Sequence, residues 1–433
     1  MLPPSTLVTH AERREENGVL GASVWRRIIG VDRQTVIEDI DVTEEEDAVV
    51  VSVRPRRTTK RRCGVCGAKA PGYDQGEGRR RWRALDLGVV RCYLEATSPR
   101  VKCPTHGPIV AQVPWARHGA GHTRDFDDQV AWLVTHSPKS TVAELMRIAW
   151  RSVGSIIARV VADGRAACDP FSGLTRIGID ELSYKRGHRY LVVVVCHTTG
   201  RLVWAGIGRE EKTLHAFFDL LGQERCEKIE IVSADGASWV GNVVAERAKN
   251  ATLCIDSFHV CKWAQDALDE VRREVWRRAR SNGMRAYAKE LKGCRFALWK
   301  NPEDLTASQE RKLSWIAKEN GELYRAYLLK EQLRLAIHTK GIVSLTMLDT
   351  WLAWAQRSRI PAFVELGRKV RRHLAGIEAA MMHHVSNALI ESTNTKLRVL
   401  HRMAFGFKEP EHLIALAYLD RGGYCPSLPG RAA

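Results

Sequence analysis

Nowhere in this 433-residue sequence do eighteen apolar residues follow one another, so no membrane-spanning helix is expected. The opening stretch MLPPSTLVTHAERREENG also lacks the apolar core of a secretory leader. Cysteines are too few and too scattered for a disulfide scaffold: there are eleven, an odd number in a long chain. Reduced thiols or metal ligands in a cytosolic compartment are the expectation. Acids are short as well, with 50 Asp and Glu against 67 Lys and Arg, a formal net charge of +17. Such an excess points to a polyanionic partner, because cations that neutralise phosphates release condensed counterions on binding.

The basic excess is concentrated near the front, where residues Val51 to His106 hold fourteen Lys/Arg and four Asp/Glu. The arginines and lysine Arg56, Arg57, Lys60, Arg61 and Arg62 form a run suited to phosphates. A hydrophobic content of 45% supports folded cores, and the length suggests two to four domains. The first residues are polar and unpatterned. From Arg26 onward, RRIIGVDRQTVIEDIDV and DAVVVSVRPR alternate apolar and polar positions and read as short antiparallel strands.

Between Thr123 and Asp163 the period turns helical: FDDQVAWLVT, then STVAELMRIA with a Ser/Thr start and Glu144 placed for a capping box, then RSVGSIIARVVA. The third helix follows the second closely, as in a helix-turn-helix that presents its recognition helix to the major groove. A plain three-helix linker would show the same pattern, but the basic module ahead of it favours DNA. Ser152, Ser155 and Arg159 are then the expected base-edge residues.

From Leu174 three apolar strands, LTRIGIDEL, RYLVVVVCHT and RLVWAGIG, precede helix KTLHAFFDLLG, strand KIEIVSADG, helix SWVGNVVAERAKN and strand ATLCIDSF. That order predicts an α/β core, an RNase H-like mixed sheet with helices on both faces. Strand signals then stop until His384, predicting a helical insertion in which six tryptophans, Trp263, Trp276, Trp299, Trp315, Trp351 and Trp354, serve as core anchors. A final helix from Val385 to Leu400 returns to the core, and HRMAFGFKEPEHLIALAYL is expected to add a short helix against the sheet. The predicted division is a tail at 1–23, a β-rich zinc-binding module at 24–118, a helix-turn-helix domain at 119–168, catalytic core at 174–258, helical insertion at 259–384, core again at 385–420, and a tail at 421–433.

Three constellations carry chemistry. Cys63 and Cys66 form a C-x-x-C knuckle, and Cys103 with His106 forms a C-x-x-H partner, a spacing that suits one tetrahedral, structural Zn2+. Asp180 at the end of RIGID and Asp235 at the end of IVSAD would lie side by side in a sheet of this order. Like charges that close are costly unless cations neutralise them, which suggests two Mg2+ or Mn2+ ions held by hard oxygens. The third acid, Glu391, shares a helix face with Asn387 and Asn394, while Lys396, Arg398 and Arg402 add positive charge along the same helix for a DNA backbone.

Together these stretches resemble a known family, the bacterial insertion-sequence transposases of the DDE type, in the ISL-three group. The resemblance runs from about Val24 to Tyr418, on CGVCG with VKCPTHG, the GIDE at Gly178 to Glu181, SADGASW at Ser233 to Trp239, IDSFHV at Ile255 to Val260, and SNALIESTNTKLR at Ser386 to Arg398. It implies that Asp180, Asp235 and Glu391 form the catalytic triad and that 259–384 is the family's insertion. It also implies an enzyme that binds terminal inverted repeats and target DNA as a homodimer or higher oligomer in the bacterial cytosol, near the nucleoid. Two positions stay open: Cys92 could replace His106 as fourth zinc ligand, and Asp256, followed by His259, competes with Asp235. A transposase-derived DNA-binding regulator and a metal-dependent nuclease are the rival readings.

Overall fold

The structure is a computed structural model that describes residues 21–431 apart from 44, 46, 186, 384, 386, 387 and 408. The chain forms two compact units, one comprising the chain up to Cys168 together with Glu411 onward, the other spanning Asp169–Pro410. None of the described helices is long and apolar enough to cross a membrane.

The first unit opens with a helix, Ala22–Ile29, followed by strands β1 (Thr35–Thr43), β2 (Ala48–Pro55), β3 (Gly72–Asp74), β4 (Arg79–Leu87), β5 (Val90–Thr97), β6 (Arg100–Cys103) and β7 (Gly107–Val110). They build a four-stranded sheet in the order β1-β2-β5-β4 and a three-stranded sheet β3-β6-β7. In β5, Cys92, Leu94 and Ala96 are buried while Arg91, Tyr93, Glu95 and Thr97 are not, the period-two pattern of a strand with one face on a core. That core also takes in Val51, Trp82 and Trp115. The two strands read as antiparallel from the sequence, β1 and β2, do pair that way, while β2 and β5 pair in parallel. The long excursion between them, which includes the first cysteine knuckle, supplies the crossover that a parallel pair requires.

Three helices follow, Arg124–Val134, Lys139–Leu145 and Trp150–Ala167. The first is capped by Thr123, whose hydroxyl accepts from Phe126 N at 3.3 Å. The second does not have the expected capping box. It starts at Lys139 behind Pro138, with no side-chain cap, so Ser140 and Thr141 lie inside its first turn and Glu144 has no capping role. Pro138, with its φ fixed, stands at the N-cap three residues ahead of Thr141, the cap that pairing with Glu144 would need.

The helix Pro410–Arg421 also departs from expectation. The unit division groups residues from Glu411 with the front of the chain rather than with the catalytic sheet. A Cβ placed on Gly164 of the third helix would come within 2.8 Å of the Tyr424 ring. The Arg165 guanidinium lies 4.6 Å from the Tyr418 ring centroid. The apolar stripe of Leu413, Leu416 and Leu419 marks a buried helix, but a stripe alone does not name the surface it packs on.

The second unit is built on β8 (Arg176–Lys185), β9 (Arg189–Cys196), β10 (Leu202–Ile207), β11 (Ile231–Ala234) and β12 (Thr252–Ile255), in the sheet order β10-β9-β8-β11-β12. β8, β9 and β10 are antiparallel neighbours, while β11 runs parallel to both β8 and β12. Leu191 to Cys196 of β9 are all buried, which explains an apolar run without alternation. The helices Glu211–Leu221 and Ser238–Arg247 share a core with the sheet through Phe217, Phe218, Val240 and Val244.

From Ser257 to His383 the chain is helical apart from short links, and Trp351, with no exposed surface, centres that bundle; its Nε1 donates to Leu329 O at 2.8 Å. The other five tryptophans of the segment pack against the same core, as expected of anchors. The helix Ala388–Met403 then returns to the sheet with Ile390, Thr393, Asn394 and Leu397 buried.

Ile390 sits over Gly178 of β8 so closely that a Cβ there would overlap its side chain. Gly178→Ala should therefore lower stability by about 1–3 kcal/mol through overpacking. The further change Ile390→Ala should cost less in that background than in the native chain, because it removes the clash. Equal unfolding midpoints in denaturant for Gly178→Ala and the native protein would contradict this packing.

Candidate active site and zinc centre

Cys63 ends the approach to a tight turn, Cys66 lies within it, Cys103 closes β6 and His106 stands in the turn before β7. An antiparallel bridge from Cys63 to Ala111 brings the two knuckles together. Cys63 Sγ lies 3.6 Å from His106 Nδ1, Cys103 Sγ 3.6 Å from the same nitrogen, and Cys66 Sγ 3.7 Å from Cys103 Sγ. Edges of this length follow from a tetrahedron with Zn–S near 2.3 Å and Zn–N near 2.0–2.1 Å. The Cys103 thiol is brought down to about 6, chiefly by hydrogen bonding with His106, which favours the thiolate that a metal needs. Cys92 lies elsewhere, buried in the β5 core, where desolvation pushes its thiol up to about 11. His106 therefore completes the quartet. Four protein ligands leave no open position, so the site is structural rather than catalytic.

Of the expected phosphate-binding run, Arg56, Arg57, Lys60 and Arg61 are exposed, and Arg62 is half-buried with Nη1 donating to Gly67 O at 3.0 Å. On the recognition helix Ser155 is exposed and Ser152 half-buried. Arg159 is committed elsewhere. Its Nε and Nη2 reach the two carboxylate oxygens of Asp127 at 3.0 and 3.3 Å, and Asp127 is fully buried. This corrects the expectation of a base contact: the guanidinium neutralises an internal acid. Arg159→Ala should destabilise the unit by about 1–3 kcal/mol, since buried Asp127 loses its hydrogen-bonding guanidinium and keeps Arg117 at 3.6 Å as a cationic neighbour. A thermal scan showing a native melting temperature together with weakened DNA binding would restore the readout role.

Sequence reasoning passed over Trp150 and Arg151 at the start of that helix. Both are exposed, Trp150 by 57%, with the Lys139 ammonium 3.5 Å from its ring centroid. A bulky aromatic opening a recognition helix was the available signal.

The acids of the second unit follow from strand register. Ser233 pairs with Gly178, and Ala234 pairs with Ile255. Continued by one or two rungs, the same register sets Asp235 in a row between Asp180 and Asp256. Asp180 is not at a strand end as expected, because β8 continues to Lys185 against β9; what ends beside it is the shorter β11. Burial, foremost, holds the Asp180 carboxyl above its usual range, and Asp235 and Asp256 push in the same direction.

Asp235 Oδ1 accepts from Ala237 N at 2.9 Å. Asp256 caps the helix Ser257–Ser281, accepting from Phe258 N at 3.3 Å, and its other oxygen meets His259 Nδ1 at 2.8 Å. That bond, above all, raises His259 toward the cationic form. Glu181 pairs with Arg209, yet burial keeps its carboxyl above the usual value.

The returning helix turns Asn394 toward this row. Asn394 Nδ2 donates to Asp180 Oδ2 at 2.6 Å, while Glu391 is exposed. Glu391 and Asn394 thus differ in environment despite their expected common face, and Asn387 lies outside the described residues. Lys396 is half-buried and Arg398 exposed. Among the described residues, only the zinc quartet brings three or more Cys, His, Asp or Glu ligand atoms within 4.8 Å of one another. Asp180, Asp235 and Glu391 are not drawn that close.

A zinc-stapled basic module, a helix-turn-helix and a mixed sheet with a row of acids define a DNA-binding transposase. Comparison with known proteins agrees. Residues 177–417 match the family model for transposases of the DDE type in the ISL3 group, residues 111–161 the helix-turn-helix domain of transposase family ISL3, and residues 59–106 the zinc-finger of transposase IS204/IS1001/IS1096/IS1165. The transposase for insertion sequence element IS1557 from Mycobacterium tuberculosis is 54% identical over 432 residues, covering 94% of this chain and 97% of that protein. The transposase for insertion sequence element IS1001 from Bordetella parapertussis is 25% identical over 354 residues, covering 81% and 86% respectively. The chain belongs to the ISL3 family of transposases.

Proposed function

We propose that this transposase recognises the terminal inverted repeats of an insertion sequence with its front modules. We further propose that it cuts and joins DNA strands with Asp180, Asp235 and Glu391 acting on two Mg2+ or Mn2+ ions. The observation that carries the reading is the row of aspartates at adjacent strand positions, with Asp180 buried and held toward its neutral form by its surroundings. The donor set fits a hard cation, being made of oxygens. Among the described residues, Glu181 Oε1 and Asn394 Oδ1 are moreover buried and without a hydrogen-bond partner beside Asp180. Held by these residues, two such ions would supply activation of the attacking hydroxyl and stabilisation of the leaving oxygen of a phosphodiester.

Asp180 and Asp235 supply the fixed carboxylates. Glu391, exposed on the returning helix, would close on the ions once they bind, and Lys396 and Arg398 would lie along the DNA backbone. Asp235 is preferred to Asp256 as second ligand because it follows β11, the direct neighbour of β8, whereas Asp256 follows β12, one strand further out. A dimer follows from the need to hold two element ends at once, and the cytosol near the nucleoid is where such DNA is met.

Incubating the full chain with labelled element ends, target DNA and Mg2+ tests the reading. Cleavage followed by joined product is expected. Cutting without joining would make the protein a nuclease, and specific binding with neither reaction would make it a regulator.

A further inference from the structure

We propose that Asn394 is a positioning residue for Asp180, setting the orientation in which its carboxylate meets a divalent cation; this rests on Asp180 being a metal ligand. Asn394 is 214 positions from Asp180 in sequence, yet its amide donates to Oδ2 at 2.6 Å, from a side chain whose residue is only 1% exposed. The other oxygen, Oδ1, accepts from Glu181 N at 2.7 Å. With one donor on each oxygen, the carboxylate plane is fixed from both sides.

The chemistry of the donor matters. A lysine or arginine here would neutralise Asp180 and compete with a metal cation, whereas an amide orients the carboxylate and leaves its charge available. Second-layer hydrogen bonds of this kind tune how well a ligand binds. Among the described residues the amide oxygen Oδ1 is buried without a hydrogen-bond partner, an arrangement that costs stability and that packing alone would not select.

The same residue registers the helix. Ile390 packs on Gly178, and Asn394 bonds to Asp180 two residues further along β8, so the pair fixes the rotation of the helix from which Glu391 projects.

The test uses the full-length chain without DNA, with Mn2+ as probe, its free fraction read by electron paramagnetic resonance. Asn394→Ala should weaken Mn2+ binding by about 10–100-fold, the range typical of lost outer-layer partners. The metal concentration for half-maximal cleavage should rise by a similar factor while the rate at saturating metal largely recovers. Asn394→Ser, which keeps a donor, should fall between. Asn394→Leu keeps the volume without the donor and should match the alanine variant if alanine melts early. Native Mn2+ affinity in either the Ala or the Leu variant overturns the proposal, as does a lost rate that saturating metal does not restore. Asp180→Asn separates the two layers: if that variant binds Mn2+ as the native chain does, the metal-ligand reading of Asp180 itself fails.

Discussion

Asp180→Asn should reduce strand cleavage at least about a thousandfold in Mg2+ while binding to DNA ends persists. The substitution keeps shape and removes one charge from the pair that would anchor the cations. Losing about 4 kcal/mol of transition-state stabilisation corresponds to three powers of ten in rate. The fold should persist, because the isostere keeps the volume and its single oxygen can still accept from Glu181 N, at the cost of turning the Asn394 amide around to meet the new NH2. Asp235→Asn and Glu391→Gln should behave alike. Asp256→Asn should be milder, acting through the helix cap and His259. Gel shifts and cleavage of end-labelled duplex, run on the same preparations, decide the matter. Full activity of Glu391→Gln would remove it from the site, and an inactive Asp256→Asn beside an active Asp235→Asn would hand the second position to Asp256.

Cys63→Ser, or a strong chelator, should release one zinc per chain and unfold the module around it, with loss of DNA binding. Cys63 has no exposed surface and shares a small core with Ala70, Val101 and Cys103, too little apolar area to hold the β3-β6-β7 sheet by itself. Apparent zinc-binding energies in small fingers reach about 10–16 kcal/mol, and that energy is folding energy. The Asp169–Pro410 unit has its own cores and should keep its melting transition. Elemental analysis finding no zinc in fully folded, DNA-binding protein would refute the assignment. In the intact protein, affinity should fall with salt at a log–log slope of roughly −0.9 per neutralised phosphate.

The zinc quartet was readable in sequence because its two pairs have local spacing and only one partner class suits them. The sheet order was readable because each connection length allows few routes. The neighbourhood of Asp180 and Asp235 followed from that order. What sequence could not show were contacts decided at a distance. Nothing near Arg159 reveals that Asp127 lies buried beneath it, so an exposed base reader and an internal counter-ion look identical on a helix wheel. The periodicity that places Ile390, Glu391 and Asn394 on a helix does not say which of them faces β8, since Gly178 and Ile390 settle that rotation by fit. For Pro410–Arg421, an apolar stripe had two candidate cores and no local mark to choose between them.

The return of residues after Glu411 to the first unit has a consequence for how the protein is made. A nascent chain that has emerged only as far as Cys168 holds an unfinished DNA-binding unit, with the surface of Gly164 and Arg165 that Tyr424 and Tyr418 cover still open to water. The whole Asp169–Pro410 unit must leave the ribosome before that surface closes. Completion of the first unit thus reports completion of the second. A truncated product loses the end of the Asp169–Pro410 unit and the finished form of the first unit together.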